Sequence, residues 1–195
     1  MIWNTPNIFT FARIALIPLF VGVFYLPHEY SSLTAAKAHQ VNCWATSIFA
    51  LAAFTDWLDG FWARKFNQMS RFGAFLDPVA DKLMVAAALI VLVEFHRVGA
   101  VIALIIIGRE IAISALREWM AGLGERSNVA VALLGKIKTA AQMLAILFLL
   151  YNDRIGNFDT ARAGRILIVI AAILTLVSMA HYLKAAWPTI KKAAL

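Results

Sequence analysis

The chain has 195 residues, of which 62% are hydrophobic and only 15% carry a charge. Soluble domains have roughly 45–50% apolar and about 25% charged residues, so this composition excludes a soluble globule and a disordered chain. The 18 Lys and Arg residues outnumber the 11 Asp and Glu residues, which gives a formal net charge of +7. That excess suits an anionic membrane surface or an anionic substrate, and the sequence carries no motif that indicates a nucleic-acid partner.

Six apolar stretches, each near the length that a helix needs to cross a bilayer, predict the fold. They are continuously apolar and rich in Ala and Leu, without the alternation typical of a transmembrane β-barrel. The sequence therefore predicts an all-α integral membrane protein with six transmembrane helices in a single domain over residues 1–195. The predicted spans are about 8–27, 42–62, 73–94, 98–120, 129–151 and 164–187.

The basic residues of the loops predict the orientation, because cytoplasmic loops carry an excess of Lys and Arg. With a cytoplasmic N-terminus, nine such residues lie inside and five lie outside. The inner residues are Arg13, Arg64, Lys65, Arg71, Arg117, Arg126, Lys184, Lys191 and Lys192. The outer residues are Lys37, Arg97, Arg154, Arg162 and Arg165. The difference favours both termini in the cytoplasm.

Four aspartates dominate the hairpin between the second and third spans. Asp56 and Asp59 are three residues apart, and Asp77 and Asp81 are four apart, so each pair shares one helix face. Two antiparallel helices would then present two tiers of carboxylates at matching depths. On a helix that rises 1.5 Å per residue, these tiers lie about 6–8 Å and about 12 Å from the cytoplasmic end.

Four carboxylates this close together repel each other in a low-dielectric setting unless a cation neutralises them. Mg²⁺ prefers oxygen ligands and leaves coordination positions for water and substrate phosphate, and two such ions clamp both sides of a phosphoryl displacement. Gly60 and Ala63 leave room beside these acids for a base or a diphosphate, and Arg64 is placed to pair with phosphate oxygens. We therefore expect divalent cations, Mg²⁺ or Mn²⁺, two per active site.

Each acid also has a simpler interpretation. Asp77-Pro78 is typical of a helix start, and Asp59-Gly60 is typical of a turn. Asp81, which a lysine follows, also suits a salt-bridge network at the membrane edge. Buried acids occur in ion and proton pathways, so a cation-coupled transporter is an alternative function. A structural scaffold gives no reason to keep four carboxylates in the apolar zone.

The pattern Asp56-x₂-Asp59-Gly60-x₂-Ala63-Arg64-x₈-Gly73-x₃-Asp77-x₃-Asp81 resembles the signature of the CDP-alcohol phosphotransferase family at every fixed position. The resemblance implies a six-helix membrane fold, usually a homodimer, in which a second alcohol displaces CMP from a CDP-alcohol. It implies that all four aspartates contact metal and that Asp81 is the catalytic base for the acceptor hydroxyl. The contacts that it implies for the CDP moiety are Gly60, Ala63, Arg64, Ser70 and Gly73.

The charged residues inside the fourth and fifth predicted spans help to identify the acceptor alcohol. A basic residue there is costly unless it faces a polar cavity or an anion. Arg109, Arg117 and Lys136 can converge on a phosphate monoester, with Glu110 orienting an arginine. The alternative is pairing along one helix between Glu110 and Arg117, while the lysines extend to the membrane edge.

Four stretches, PNIFTFAR, GAFLDPVADKLMVAAALIVLV, GREIAISALREWMAGLG and GKIKTAAQM, resemble one bacterial branch of this family. Members of that branch join CDP-diacylglycerol to sn-glycerol 3-phosphate, giving phosphatidylglycerophosphate and CMP. The resemblance implies the bacterial cytoplasmic (inner) membrane, with the active site facing the cytoplasm. It also places Asn7, Thr10 and Arg13 near a lipid headgroup, although an ordinary membrane anchor explains them as well. The alternative function is that of a sister enzyme in the same family, with inositol phosphate or phosphatidylglycerol as the acceptor.

Overall fold

The computed structural model describes residues 5–26, 33–66, 71–123 and 132–193. These residues form six helices and one short β-hairpin, which confirms the helical fold class in outline. The helices are α1 (Thr5–Tyr25), α2 (Ala35–Phe66), α3 (Arg71–Glu94), α4 (Ala100–Gly122), α5 (Ala132–Tyr151) and α6 (Thr160–Ala193).

One helix of the described chain, over Thr160–Lys191, is long and apolar enough by length and composition to cross a membrane. Two shorter apolar helical stretches cover Thr10–Tyr25 and Ile137–Tyr151. Helices α2 and α6 extend beyond their predicted spans at both ends. Six membrane crossings therefore stay a prediction that the helix count supports.

The connection between α5 and α6 contains a short two-stranded hairpin. Strands β1 (Arg154–Ile155) and β2 (Phe158–Asp159) pair antiparallel, and Gly156 supplies the positive φ of 60° in the turn. The Asp159 carboxylate then accepts a hydrogen bond of 2.9 Å from the backbone N–H of Arg162. This is the N-terminal cap that α6 needs, because the first N–H groups of a helix have no partner within it.

The same connection makes α5 and α6 pack at short range. A Cβ atom added to Gly164 would lie 2.7 Å from Cγ of Leu149 and 3.1 Å from its backbone nitrogen. Small residues at such positions let two membrane helices approach closely. Helix α4 also packs against α6, and α1 packs against both α2 and α3.

A buried arginine, Arg97, links helices at the end of the bundle where α2 begins and α3 ends. Arg97 donates hydrogen bonds to the carbonyl oxygens of Leu149 (3.1 Å) and Leu150 (2.9 Å) and to Oδ1 of Asn42 (2.8 Å). It thereby satisfies carbonyl groups at the end of α5 that lack helical partners. Since Asp56 lies near the other end of α2, this arginine and the acidic residues occupy opposite ends of the bundle.

Candidate active site

The acids lie inside continuous helices. Helix α2 runs through residues 59 and 60 to Phe66, and α3 begins at Arg71, six residues before Asp77. The helix-start interpretation of Asp77-Pro78 and the turn interpretation of Asp59-Gly60 are therefore wrong. Pro78 lies inside α3 and lacks the N–H that would bond to the carbonyl of the residue four positions earlier, so one helical hydrogen bond is missing there.

Arg13 of α1 joins two of the acids. Its Nη1 atom lies 3.2 Å from Oδ1 of Asp56 and donates a hydrogen bond to Oδ1 of Asp81. The Arg13 side chain is 1% exposed, whereas those of Asp56 and Asp81 are 47% and 41% exposed. Two carboxylates from different helices therefore meet around one cationic nitrogen, and this charge offsets their mutual repulsion.

Thr10, one helical turn before Arg13, donates a hydrogen bond to Oδ1 of Asp77. Thr10 and Arg13 are both fully buried, so the alternative that they are exposed membrane anchors is wrong. They pack against the acids because α1 lies between α2 and α3. The Asn7 side chain lies outside the described side chains, and a lipid headgroup near this trio stays a prediction.

The donor set at this end of the bundle suits a hard divalent cation, since it consists of carboxylate oxygens, two of which already share one positive charge. Among the side chains that the structure describes, no three acidic, cysteine or imidazole groups are gathered as a metal site. The Asp59 carboxylate, the remaining predicted ligand, is not among them. Metal binding therefore stays a prediction that the chemistry of the acids supports.

The predicted contacts to the CDP moiety lie in the sequence between the last turns of α2 and the first turn of α3. Gly73 is buried in the first turn of α3. For Gly60, Ala63 and Arg64 the structure describes the backbone of α2 and nothing of the side chains, and Ser70 lies outside the described residues. Their roles accordingly stay predictions.

A second charged cluster joins α4, α5 and α6. Oε1 of Glu110 accepts hydrogen bonds from Nη1 of Arg109 (3.0 Å) and from Nζ of Lys138. Arg109 also donates to Oγ of Ser178 at 2.7 Å, and its guanidinium lies 5.9 Å from the centre of the Tyr182 ring. The two cations are 8% and 3% exposed, so two buried positive charges share one carboxylate and the trio keeps a formal charge of +1.

This cluster differs from the pairing that the sequence suggested. Glu110 contacts Arg109, as expected of a residue that orients an arginine, but its second partner is Lys138 of α5 rather than Arg117 of α4. Arg117 is exposed, and the Lys136 side chain lies outside the described side chains. The convergence of these residues on a phosphate stays a prediction. Sequence reasoning missed Lys138, although two lysines two residues apart must point to different sides of a helix.

One cavity of about 340 Å³ connects the two clusters. Arg13, Asp56 and Asp81 line it from α1, α2 and α3, whereas Glu110 and Gln142 line it from α4 and α5. Its volume is within the range of about 300–1,000 Å³ that is usual for small-molecule sites. A small polar molecule in this cavity can therefore lie close to the acids and to the second cluster at the same time.

Comparison with known proteins agrees with this geometry. A family model described as CDP-alcohol phosphatidyltransferase matches residues 3–177, which include every residue of the cavity wall. The chain belongs to the CDP-alcohol phosphatidyltransferase family, which confirms the family predicted from the pattern of acids.

Among its relatives are the enzymes named CDP-diacylglycerol–glycerol-3-phosphate 3-phosphatidyltransferase of Salmonella typhimurium and of Escherichia coli strain K12. Each is 50% identical to this chain over 188 residues, and the match covers 95% of this chain and 96% of the relative. The similarity therefore extends over both clusters and the cavity between them.

Proposed function

We propose that this protein transfers the phosphatidyl group of CDP-diacylglycerol to sn-glycerol 3-phosphate, giving phosphatidylglycerophosphate and CMP. The observation that carries the proposal is the single cavity that contacts Asp56 and Asp81 at one side and Glu110 at the other. Such a cavity can bring a diphosphate near the acids and a phosphorylated alcohol near the second cluster. The names of the two relatives support this pair of substrates.

The acceptor's C1 hydroxyl oxygen forms the new bond to the β-phosphorus of CDP-diacylglycerol, and the bond between that phosphorus and the oxygen of CMP breaks. Asp81 accepts the proton of the hydroxyl, since its carboxylate lines the cavity. The reacting atoms must be held in line at about 3–3.5 Å, so positioning supplies much of the rate. CMP leaves with the electron pair of the broken bond.

The acidic cluster prepares the site for a highly charged substrate. Divalent cations, two per site and either Mg²⁺ or Mn²⁺, would be held by Asp56, Asp59, Asp77 and Asp81 and would supply Lewis-acid stabilisation of the phosphate oxygens. Arg13 keeps two of these carboxylates directed toward each other. The CDP moiety then lies against Gly60, Ala63, Arg64, Ser70 and Gly73, where small side chains admit it and the arginine pairs with its phosphate.

The acceptor phosphate is bound from the α4 and α5 side by Arg109, Arg117 and Lys136. Glu110 and Ser178 fix the guanidinium of Arg109, which leaves its buried Nε atom without a hydrogen-bond partner among the described residues. A buried N–H group without a partner can donate a hydrogen bond to an anion such as the acceptor phosphate. Glu110 in turn limits the positive charge of the cluster before the substrate arrives.

The protein acts in the bacterial cytoplasmic membrane as a multi-pass homodimer, with its active site and both termini facing the cytoplasm. The excess of basic residues on that side supports this orientation. A transporter would need a polar path along the whole bundle, whereas buried apolar residues such as Phe20, Phe49 and Leu89 form the core beyond the acids.

Purified protein with CDP-diacylglycerol and Mg²⁺ tests the proposal when it is offered glycerol 3-phosphate, inositol phosphate, serine or phosphatidylglycerol. We expect CMP release with glycerol 3-phosphate to exceed that with every other acceptor, and EDTA to abolish it until Mg²⁺ or Mn²⁺ is added in excess. Preference for inositol phosphate or phosphatidylglycerol would assign a sister enzyme. Aspartate-dependent ion uptake by liposomes without CMP release would instead assign a transporter.

A further inference from the structure

Gln142 of α5 is a buried polar residue that the reaction scheme above leaves without a role. Its side chain is 4% exposed, and its Oε1 atom has no hydrogen-bond partner among the described residues. A buried amide oxygen in that state destabilises the folded protein, because it has lost water without gaining a donor. Such a group is retained more readily where a ligand completes its hydrogen bonding.

The surroundings of Gln142 indicate where that ligand binds. Gln142 lines the same cavity as Asp81 and Glu110, and so does Thr139, one turn earlier on α5. The Lys138 side chain, which pairs with Glu110, comes from the preceding turn of the same helix. Gln142 therefore shares one cavity with the group that receives the acceptor's proton and with Glu110 of the cluster assigned to the acceptor's phosphate.

We infer that Gln142 determines specificity by hydrogen bonding to the C2 hydroxyl of glycerol 3-phosphate. This inference rests on the proposed function, in which the C1 hydroxyl faces Asp81 and the phosphate faces the cations. The C2 hydroxyl is the remaining polar group of the acceptor, and it lies between the other two. A hydroxyl both donates and accepts, so it satisfies the amide in either orientation, whereas a phosphate dianion cannot donate to Oε1.

The test compares two acceptors that differ only at this hydroxyl. Glycerol 3-phosphate and 3-hydroxypropyl phosphate, which lacks the C2 hydroxyl, are assayed with the wild-type protein and with Gln142→Met. For the wild type we expect kcat/KM to be about 10–100-fold higher with glycerol 3-phosphate, since the analogue leaves a buried amide unpaired. In Gln142→Met this ratio should fall to near one, because glycerol 3-phosphate loses the partner of its C2 hydroxyl and the analogue no longer leaves an amide unpaired.

Met143→Leu is the matched control, because Met143 lines the same cavity from the next position of α5 and packs against the hydrophobic core. It should keep the wild-type ratio. If Gln142→Met does not fold, Gln142→Asn replaces it, since its shorter amide keeps the polarity but not the reach, and the same loss of discrimination is expected.

The outcomes separate this inference from the proposed function. A wild-type protein that forms no phosphatidylglycerophosphate overturns the proposed function itself. A wild-type protein that uses both acceptors equally well overturns the role of Gln142, even though the transfer reaction stands. A ratio that stays at its wild-type value in a folded Gln142 variant does the same.

Discussion

Asp81→Asn is expected to lower kcat for phosphatidyl transfer by about 10³-fold or more while the protein stays folded. Asparagine has the shape of aspartate but cannot accept the proton of the attacking hydroxyl, and loss of general-base catalysis alone costs about 10²–10⁴-fold. It is also a weaker ligand for a divalent cation. Release of CMP from CDP-diacylglycerol in the presence of glycerol 3-phosphate measures the effect.

Glu94→Gln is the matched control for this variant, because Glu94 is an exposed acid at the other end of α3. It removes the same charge from the same helix and should leave kcat within about twofold of the wild type. Near-normal turnover by Asp81→Asn would show that another group receives the proton. Raising the Mg²⁺ concentration should not rescue Asp81→Asn, whereas it should restore part of the activity of Asp56→Asn, because Asp56 is proposed as a metal ligand and not as the base.

Glu110→Gln is expected to reduce the free energy of unfolding by about 3–5 kcal/mol, the usual cost of breaking a buried ion pair. Arg109 and Lys138 would lose the only carboxylate that contacts them among the described side chains. Both cations are almost fully buried and cannot regain water without opening the packing of α4, α5 and α6. Equilibrium unfolding in detergent, followed by loss of helical circular dichroism, measures the change.

Glu118→Gln provides the comparison, since Glu118 lies on α4 two turns after Glu110 and is exposed. It should change stability by no more than about 0.5 kcal/mol. The double variant Glu110→Gln with Lys138→Met should recover part of the loss, because it removes one of the two unpaired cations. If Glu110→Gln were as stable as Glu118→Gln, the second cluster would contribute nothing to the fold.

The pattern of acids could be read from the sequence because it is local. Asp56 and Asp59, or Asp77 and Asp81, are separated by one helical turn, and an acid inside an apolar stretch is rare enough to indicate a site. The approximate positions of the helices were predictable for the same reason, since periodicity and composition act over neighbouring residues, but the full lengths of α2 and α6 were not.

The contacts of α1 were not predictable in this way. Arg13 meets Asp81 across 68 residues of sequence, and Thr10 meets Asp77 across 67, so no spacing rule connects them. Their meeting depends on how α1 packs between α2 and α3. The polar face of α1 was visible in the sequence, but whether it faced lipid or protein was decided only by the tertiary fold.

The second cluster shows a similar limit. Glu110 was recognised as a residue that orients an arginine, yet its contact with Lys138 depends on the rotation of α5 about its own axis. Gln142 carried a faint signal, as a single amide in an apolar stretch of α5. Its burial, its unpaired oxygen and its position on the cavity wall indicate a contact with a ligand, and none of these can be obtained from the sequence.

The central claim is that facing carboxylates of α2 and α3 hold divalent cations at the cavity. Electron paramagnetic resonance of Mn²⁺, whose free signal disappears on binding, measures this directly in purified protein with CMP present. We predict that the wild type and Glu94→Gln bind Mn²⁺ alike, and that Asp56→Asn and Asp81→Asn each weaken its affinity at least about tenfold. Equal Mn²⁺ affinity in all four proteins would contradict the account.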